Sequence, residues 1–404
     1  NPIFLLSELL KVRQTPSTDN KITWFENTSP LRLLSHTPTS NQVGVTLNSN
    51  IAIDFDLPVS GSSINTSSVI IRGEYTGQIQ GNFTGVGTSS ITFNGTGNFK
   101  PGELVSVTLT QNIQSISGYI LAAPYSFEFR ASSVSGPETP NFFADASKTV
   151  ISTTTDGANL VFSADLDGDG DIDVLSSSEF DNKIAWYEND GAQTFTEHVI
   201  STNALEAQQV YTCDIDQDGD MDVLSASRFD NKIAWYENDG VQTFTERIVS
   251  TNAGGVYMGL PKDVDGDGDI DILGASRYDD KIAWYENNGS QVFTERVISL
   301  NTDGARSVFG IDMDNDGDID VLSASFNDNK IAWFENNGAQ SFSERIISTN
   351  ALGASIVYAL DMDGDNDVDV LSASFNDDKI AWYENNGLEV FTEHIISTTA
   401  DGAR

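Results

Sequence analysis

The chain has 404 residues and a formal charge of −39, from 60 acidic against 21 basic side chains. A surface that negative repels phosphate backbones and anionic headgroups, which argues against nucleic-acid binding and against a direct grip on membrane lipids. Apolar residues at 39% and aromatics at 10% exclude a disordered polyanion and are enough for two or three packed cores.

No stretch has the roughly 18 continuous apolar residues of a membrane span. The single cysteine, Cys213, rules out an intrachain disulfide and reads as a small buried strand residue. Missing disulfides do not place the chain in the cytosol, because metal can staple an extracellular fold instead. The start, Asn1-Pro-Ile-Phe-Leu-Leu-Ser, lacks an initiator Met and a basic n-region, so a processed product or a piece of a longer chain is expected.

Residues 1–36 contain Asp19-Asn-Lys-Ile-Thr-Trp-Phe-Glu-Asn27, which echoes Asp181-Asn-Lys-Ile-Ala-Trp-Tyr-Glu-Asn189 and its four later copies. Aligning Lys21 with Lys183 sets Ile3–Lys11 where the later copies carry an acidic loop. The segment is therefore half a repeat without that loop, and residues 31–36 are expected to supply its last strand. Residues 37–132 change character: Ile51/Ile53/Phe55, Val69/Ile71, Ile91/Phe93, Val105/Val107/Leu109 and Tyr125/Phe127/Phe129 place apolar side chains two apart. Period two predicts half-buried strands, about seven of them, as in a β-sandwich. The stretches Val45–Val59 and Phe99-Lys-Pro-Gly-Glu-Leu-Val-Ser-Val-Thr-Leu109 resemble bacterial Ig-like domains, with a spacer role as the favoured expectation. Residues 133–145, with Pro137 and Pro140, predict a semi-rigid linker.

From residue 146 to 404 the chain repeats. Asp165-Leu-Asp-Gly-Asp-Gly-Asp-Ile-Asp173 packs five carboxylates into nine residues, and the pattern returns at Asp214, Asp263, Asp312 and Asp361, each 49 residues after the last. Each repeat reads as four strands: Leu160–Ala164 before the loop, then Val174–Ser178, Lys183–Glu188 and Phe195–Ile200. Asn189-Asp-Gly191 is a hairpin signal between the last two. Four short strands per repeat with no helical period predict an all-β fold, a β-propeller of four-stranded blades behind an Ig-like β-sandwich. Both faces of a blade pack on neighbours, which accounts for Val174, Leu175, Ile184 and Trp186 being apolar in every copy.

Calcium takes six to eight oxygens, and a chain supplies them by alternating short acidic side chains around a tight turn. Positions 1, 3, 5 and 9 of each loop offer carboxylates, position 7 offers its backbone carbonyl, and position 6 turns. The candidate metal-site residues are Asp165, Asp167, Asp169, Asp171 and Asp173 around Gly170. The second set is Asp214, Asp216, Asp218, Asp220 and Asp222 around Gly219, and the third is Asp263, Asp265, Asp267, Asp269 and Asp271 around Gly268. Asp312, Asp314, Asp316, Asp318 and Asp320 surround Gly317, and Asp361, Asp363, Asp365, Asp367 and Asp369 surround Asn366. Position 12 is Ser or Gly, never the bidentate Glu of an EF-hand. Without His or Cys the set disfavours zinc, and so many carboxylates disfavour magnesium. Five carboxylates so close repel one another without a cation, so about five calcium ions are expected, as structural staples.

The loops resemble the FG-GAP/VCBS repeats of integrin-α-like propellers, whose calcium loops join two strands of a blade. That resemblance implies calcium ligands at the aspartates named above and an extracellular or cell-surface location. It implies no calcium in residues 1–36. Other candidates favour structural readings. The Trp24, Trp186, Trp235, Trp284, Trp333 and Trp382 series reads as core rather than a sugar platform. His198, Arg247, Arg296, Arg345 and His394 read as a solvated outer strand rather than an anionic-glycan site, and His36 has no catalytic partner. No nucleophile elbow, phosphate loop or zinc signature is present, so no enzyme activity is expected. Two functions remain open: a calcium-stabilised adhesion or appendage (filament) module, or a carbohydrate-binding module of a secreted polysaccharide-acting protein. The partner is expected to be a protein or glycan on another cell or in an assembly. Residues 1–36 are expected to close the ring, to pair with a neighbouring protomer, or to end an earlier propeller.

Overall fold

The computed structural model describes residues 30–133, 150–365 and 367–404. The expected strand at residues 19–27, most of the linker and Asn366 lie outside the described residues.

Nine strands build the sandwich: β1 (Leu33–Thr37), β2 (Gln42–Val45), β3 (Ile51–Phe55), β4 (Val69–Gly73), β5 (Gly77–Gln78), β6 (Gly81–Thr84), β7 (Ser90–Gly95), β8 (Leu104–Leu109) and β9 (Tyr125–Ala131). One sheet runs β1-β3-β7-β6 and the other β2-β9-β8-β4-β5, with β2 parallel to β9. The alternating residues Ile51, Ile53, Phe55, Ile91, Phe93, Val105, Val107, Phe127 and Phe129 meet between the sheets, as their period of two requires. The boundary at residue 37 is corrected. Residues 33–37 do not finish a partial blade; they form the sandwich's own edge strand, paired with β3, and Leu31 is buried in its core.

The repeats fold into five four-stranded antiparallel sheets, blades 1 to 5, spanning residues 158–201, 207–250, 256–299, 305–348 and 354–397. Within a blade, the inner strand (Ala158–Ala164 in blade 1) leads through the acidic loop to the second strand (Asp173–Ser178). The third (Lys183–Asn189) and outer (Phe195–Ser201) strands follow. The hairpin at Asn189-Asp-Gly191 forms, but its loop is longer than a two-residue turn: Asp190 accepts the N–H groups of Ala192 and Thr194, and Gly191 and Gln193 both take positive φ. Trp186, Trp235, Trp284 and Trp333 are buried in the packing between blades, the structural role expected for this series.

The recurring Asp-Asn-Lys segment gains a physical explanation. Asn182 stands at φ 57°, and its side chain accepts the N–H of Glu206 at 2.9 Å, fastening blade 1 to the turn that opens blade 2. Lys183 is buried and pairs with Glu197 at 2.8 Å while donating to the Thr154 carbonyl, which ties the third strand to the outer one. Both contacts recur in the later blades, for example Asp280 with Gly304 N–H and Lys281 with Glu295.

Each inner strand packs against the inner strand of the next blade, from blade 1 through blade 5; among the described residues no comparable packing joins blade 5 back to blade 1. The side chains record this opening. Val161 is 67% exposed, whereas its equivalents Val210 and Val308 are 0% exposed because they face the preceding blade. Ile356 is 39% exposed, whereas Gln209 and Met258 at the same position, facing the following blade, are 2% and 7%. Leu371, Ile380 and Trp382 of blade 5 are likewise only half-buried. Among the described residues, the five blades form an open ring with a slot between the last and the first.

Candidate functional site

The five acidic loops lie on one face of the ring, directly beneath the sandwich. In each, the first three alternating carboxylates or their position-9 counterpart converge. Oxygens of Asp165, Asp167 and Asp169, of Asp214, Asp216 and Asp218, and of Asp263, Asp265 and Asp271 lie within 4.8 Å of one another. So do those of Asp312, Asp314 and Asp316, and of Asp361, Asp363 and Asp365. The position-6 glycines have φ of 99°, 103°, 100° and 95° at Gly170, Gly219, Gly268 and Gly317, a region that side chains rarely enter. Position 4, held by Gly168, Gln217, Gly266, Asn315 and Gly364, also takes positive φ, a second turn residue that the sequence reading missed. Gly and Asn at that position were the signal for it.

The position-9 aspartates Asp173, Asp222, Asp271, Asp320 and Asp369, of which Asp271 joins its loop's cluster, are buried, and each accepts two backbone N–H groups, such as Leu166 and Asn189 for Asp173, so they also lock the loop onto the third strand. The position-7 side chains of Asp171, Asp220, Asp269, Asp318 and Asp367 stand outside these clusters. They lie against the hairpin glycines; a Cβ on Gly191 would sit 2.4 Å from Asp171 Oδ2.

Without a cation these carboxyls are electrostatically strained. Burial, opposed by backbone N–H groups, pushes Asp222 up to about 8 and Asp271 and Asp320 up to about 9. Asp312 rises to about 8 through burial and the neighbouring Asp316 charge. Asp214 rises to about 6 through burial, moderated by Arg72, and its buried Oδ1 has no hydrogen-bond partner. Hard oxygen donors, several per loop and held within 4.8 Å of one another, fit a divalent cation such as calcium, whose charge would favour the ionised carboxylates that burial disfavours.

The sandwich sits on this face rather than standing off as a spacer. Arg72 Nη2 donates to the Gly268 carbonyl at 2.8 Å, Ser126 N–H to Gly317 O at 2.9 Å, and Thr108 Oγ1 to Asp263 Oδ2 at 3.0 Å. Lys100 Nζ reaches the Gly170 carbonyl at 3.3 Å, Glu128 pairs with Lys262, and Arg130 Nη2 donates to the Tyr358 hydroxyl at 2.6 Å. Gly268 and Gly317 are needed twice over, since a Cβ there would collide with Ile70 and Tyr125 of the sandwich. Between the two bodies lies a cavity of about 160 Å³, walled by the inner-strand series Phe162, Tyr211, Leu260, Phe309 and Tyr358. Cys213 lines this cavity and is partly buried, and that burial pushes its thiol up to about 12, so it is not a ready nucleophile. The outer-strand side chains are paired within their blades: His198 with Glu188, Arg247 with Glu237, Arg296 with Glu286, Arg345 with Glu335 and His394 with Glu384. His36 stacks on Phe127 within the sandwich.

Residues 27–131 match the bacterial Ig-like domain family, and residues 165–225, 263–323 and 312–372 match the FG-GAP-like repeat family. The chain joins a bacterial Ig-like domain to FG-GAP-like repeats. Modules of both kinds are typical of extracellular proteins, and among the described residues no helix is long and apolar enough to cross a membrane. Among solved structures, the chain is similar to an auxiliary nutrient binding protein from Bacteroides ovatus (12% identity, TM-score 0.42, covering 92% of this chain and 87% of that one). It is also similar to an auxiliary nutrient binding protein from Bacteroides thetaiotaomicron (8%, TM-score 0.41, covering 92% and 86%). A protein from Lactobacillus plantarum is similar at 14% identity and TM-score 0.44, covering 83% of this chain and 97% of that one. No curated protein matches the chain in sequence.

Proposed function

We propose that the protein is a non-enzymatic, calcium-stapled extracellular module of a surface or appendage assembly, and that the slot between blades 5 and 1 is its assembly joint. The observation carrying this reading is the pair of uncovered apolar half-interfaces, Val161 on one side and Ile356, Leu371, Ile380 and Trp382 on the other. Apolar surface of this kind gains about 25 cal/mol per Å² when covered.

The slot has the character of a blade position. Gly402 N–H donates to Asp378 Oδ1 at 2.9 Å, the same contact that turns blade 3 into blade 4 through Gly304 and Asp280 at 2.8 Å. Its occupant is the Asp19–Asn27 segment of a second copy, which has the sequence of a blade's third strand. Such head-to-tail pairing is heterologous and builds chains or rings.

Each acidic loop takes one calcium on the clustered carboxylates, which removes their mutual repulsion and holds the face on which the sandwich sits. Sedimentation of calcium-saturated protein over a range of concentrations tests the joint. Concentration-dependent oligomers that disappear on deleting residues 1–29 are expected. A monomer at every concentration, or oligomers that survive the deletion, would overturn the joint.

A further inference from the structure

The face opposite the sandwich carries three guanidiniums around one ring. Arg228, Arg277 and Arg306 place Cζ at 5.4, 5.4 and 5.1 Å from the centre of Tyr257, and Arg277 and Arg306 both lie 5.1 Å from the centre of Phe326. These residues break the repeat. The position of Arg277 is Glu179 in blade 1 and Phe326 and Phe375 in blades 4 and 5; that of Arg306 is Asn159, Gln208, Tyr257 and Ser355 in the other blades, and Arg only again at Arg404 after the last blade.

Only one of the three is neutralised. Arg228 pairs with Glu179 at 2.8 Å and Glu206 at 2.7 Å. Among the described residues, neither Arg277 nor Arg306 has a carboxylate within ion-pair distance, although acidic side chains outnumber basic ones 60 to 21. Arg277 Nη1 meets the Tyr257 hydroxyl at 3.0 Å and Arg306 Nη1 meets Ser355 Oγ at 3.0 Å. Among the described residues their other N–H donors have no hydrogen-bond acceptor. Burial and the neighbouring guanidiniums make the Arg306 charge costly, pulling its pKa below the ordinary arginine range. Two like charges held together on aromatic rings, without a counterion in a strongly acidic protein, form a preassembled oxyanion receptor.

We propose that this face binds an acidic sugar residue, its carboxylate or sulfate held by Arg277 and Arg306. The sugar ring rests on the aromatic rim. Phe229 and Tyr278, which directly follow Arg228 and Arg277 in sequence, are exposed, as is Phe375 at the blade 5 equivalent of Arg277. An apolar sugar face stacks on such rings, while the protein's net charge opposes long polyanions such as nucleic acid. The receptor lies on the face away from the acidic loops and involves none of the slot residues, so sugar binding and self-assembly fail separately.

Calorimetry with the full chain in saturating calcium tests it, using a short uronate oligosaccharide, a sulfated oligosaccharide, a neutral oligosaccharide and inorganic sulfate. At least one acidic sugar should bind at least tenfold tighter than both the neutral sugar and free sulfate, and the stronger acidic arm names the oxyanion. R277Q/R306Q should lose at least tenfold in affinity at an unchanged melting temperature, with the single variant R277Q reading the same loss in part. R247Q/R296Q, on the paired outer-strand cations, should bind as the parent does. Equal binding of acidic and neutral sugars, no binding of either acidic sugar, free sulfate as tight as the sulfated sugar, or full affinity in both R277Q and R277Q/R306Q would each overturn the proposal.

Discussion

The four closed blade interfaces and the open one are built from nearly the same residues, yet their physics differs. Val308 and Trp333 are sealed between sheets, while Val161 meets solvent and Trp382 is half-buried. The side chains are alike and only their neighbours differ. Burial in a repeat protein therefore belongs to the junction between units, and a unit at an unfilled junction keeps its shape while losing part of its stabilisation.

The comparison can be broken most forcefully by removing metal. At about 100 times Kd, each bound calcium contributes about 2.7 kcal/mol. Chelation should lower the melting temperature sharply and, because the sandwich rests on the loops, loosen both bodies; calorimetry showing an unchanged melt would remove calcium from the account. Next in size, Trp333→Ala at a closed interface should cost about 3–5 kcal/mol, and Trp382→Ala at the open one clearly less, measured by denaturant unfolding in calcium. Equal losses would mean that the slot is filled under the conditions of the measurement.

A third expectation concerns pH in the chelated protein. Asp222, Asp271, Asp312 and Asp320 titrate at about 8 to 9 when folded, against about 3.9 for an unfolded Asp. The folded state therefore holds protons that the unfolded state has released. The stability they confer is complete below about pH 4 and is lost as pH rises toward about 9. Between pH 6 and pH 9 the melting temperature in chelator should fall, and calcium should flatten the slope; a flat profile in chelator would contradict the strained carboxyls. The smallest effect is expected at an outer strand, where Arg296→Ala removes an exposed pair with Glu286 and should cost under about 1 kcal/mol.

Much of this architecture was legible before any coordinates. A period of two marks the sandwich strands, and the 49-residue spacing marks the blades, because local backbone preferences and alternating burial act over a few residues. The converging aspartates were legible for the same reason, since a nine-residue loop has few ways to turn. Two errors came from tertiary context. Residues 31–36 resemble a blade's last strand in composition, yet β3 offers them a pairing partner within the sandwich. Cys213 lies in an apolar run, but it ends an inner strand at the central cavity, where solvent-sized space remains.

By itself the sequence determined the strand repeats, the acidic loops and the separation into two kinds of module, all of them consequences of short-range patterning. Only the tertiary structure decided that the sandwich caps the loops, that blades 1 and 5 do not pack on each other among the described residues, and that Arg228, Arg277 and Arg306 meet around Tyr257. Those depend on contacts between residues tens to hundreds of positions apart, which no local pattern encodes.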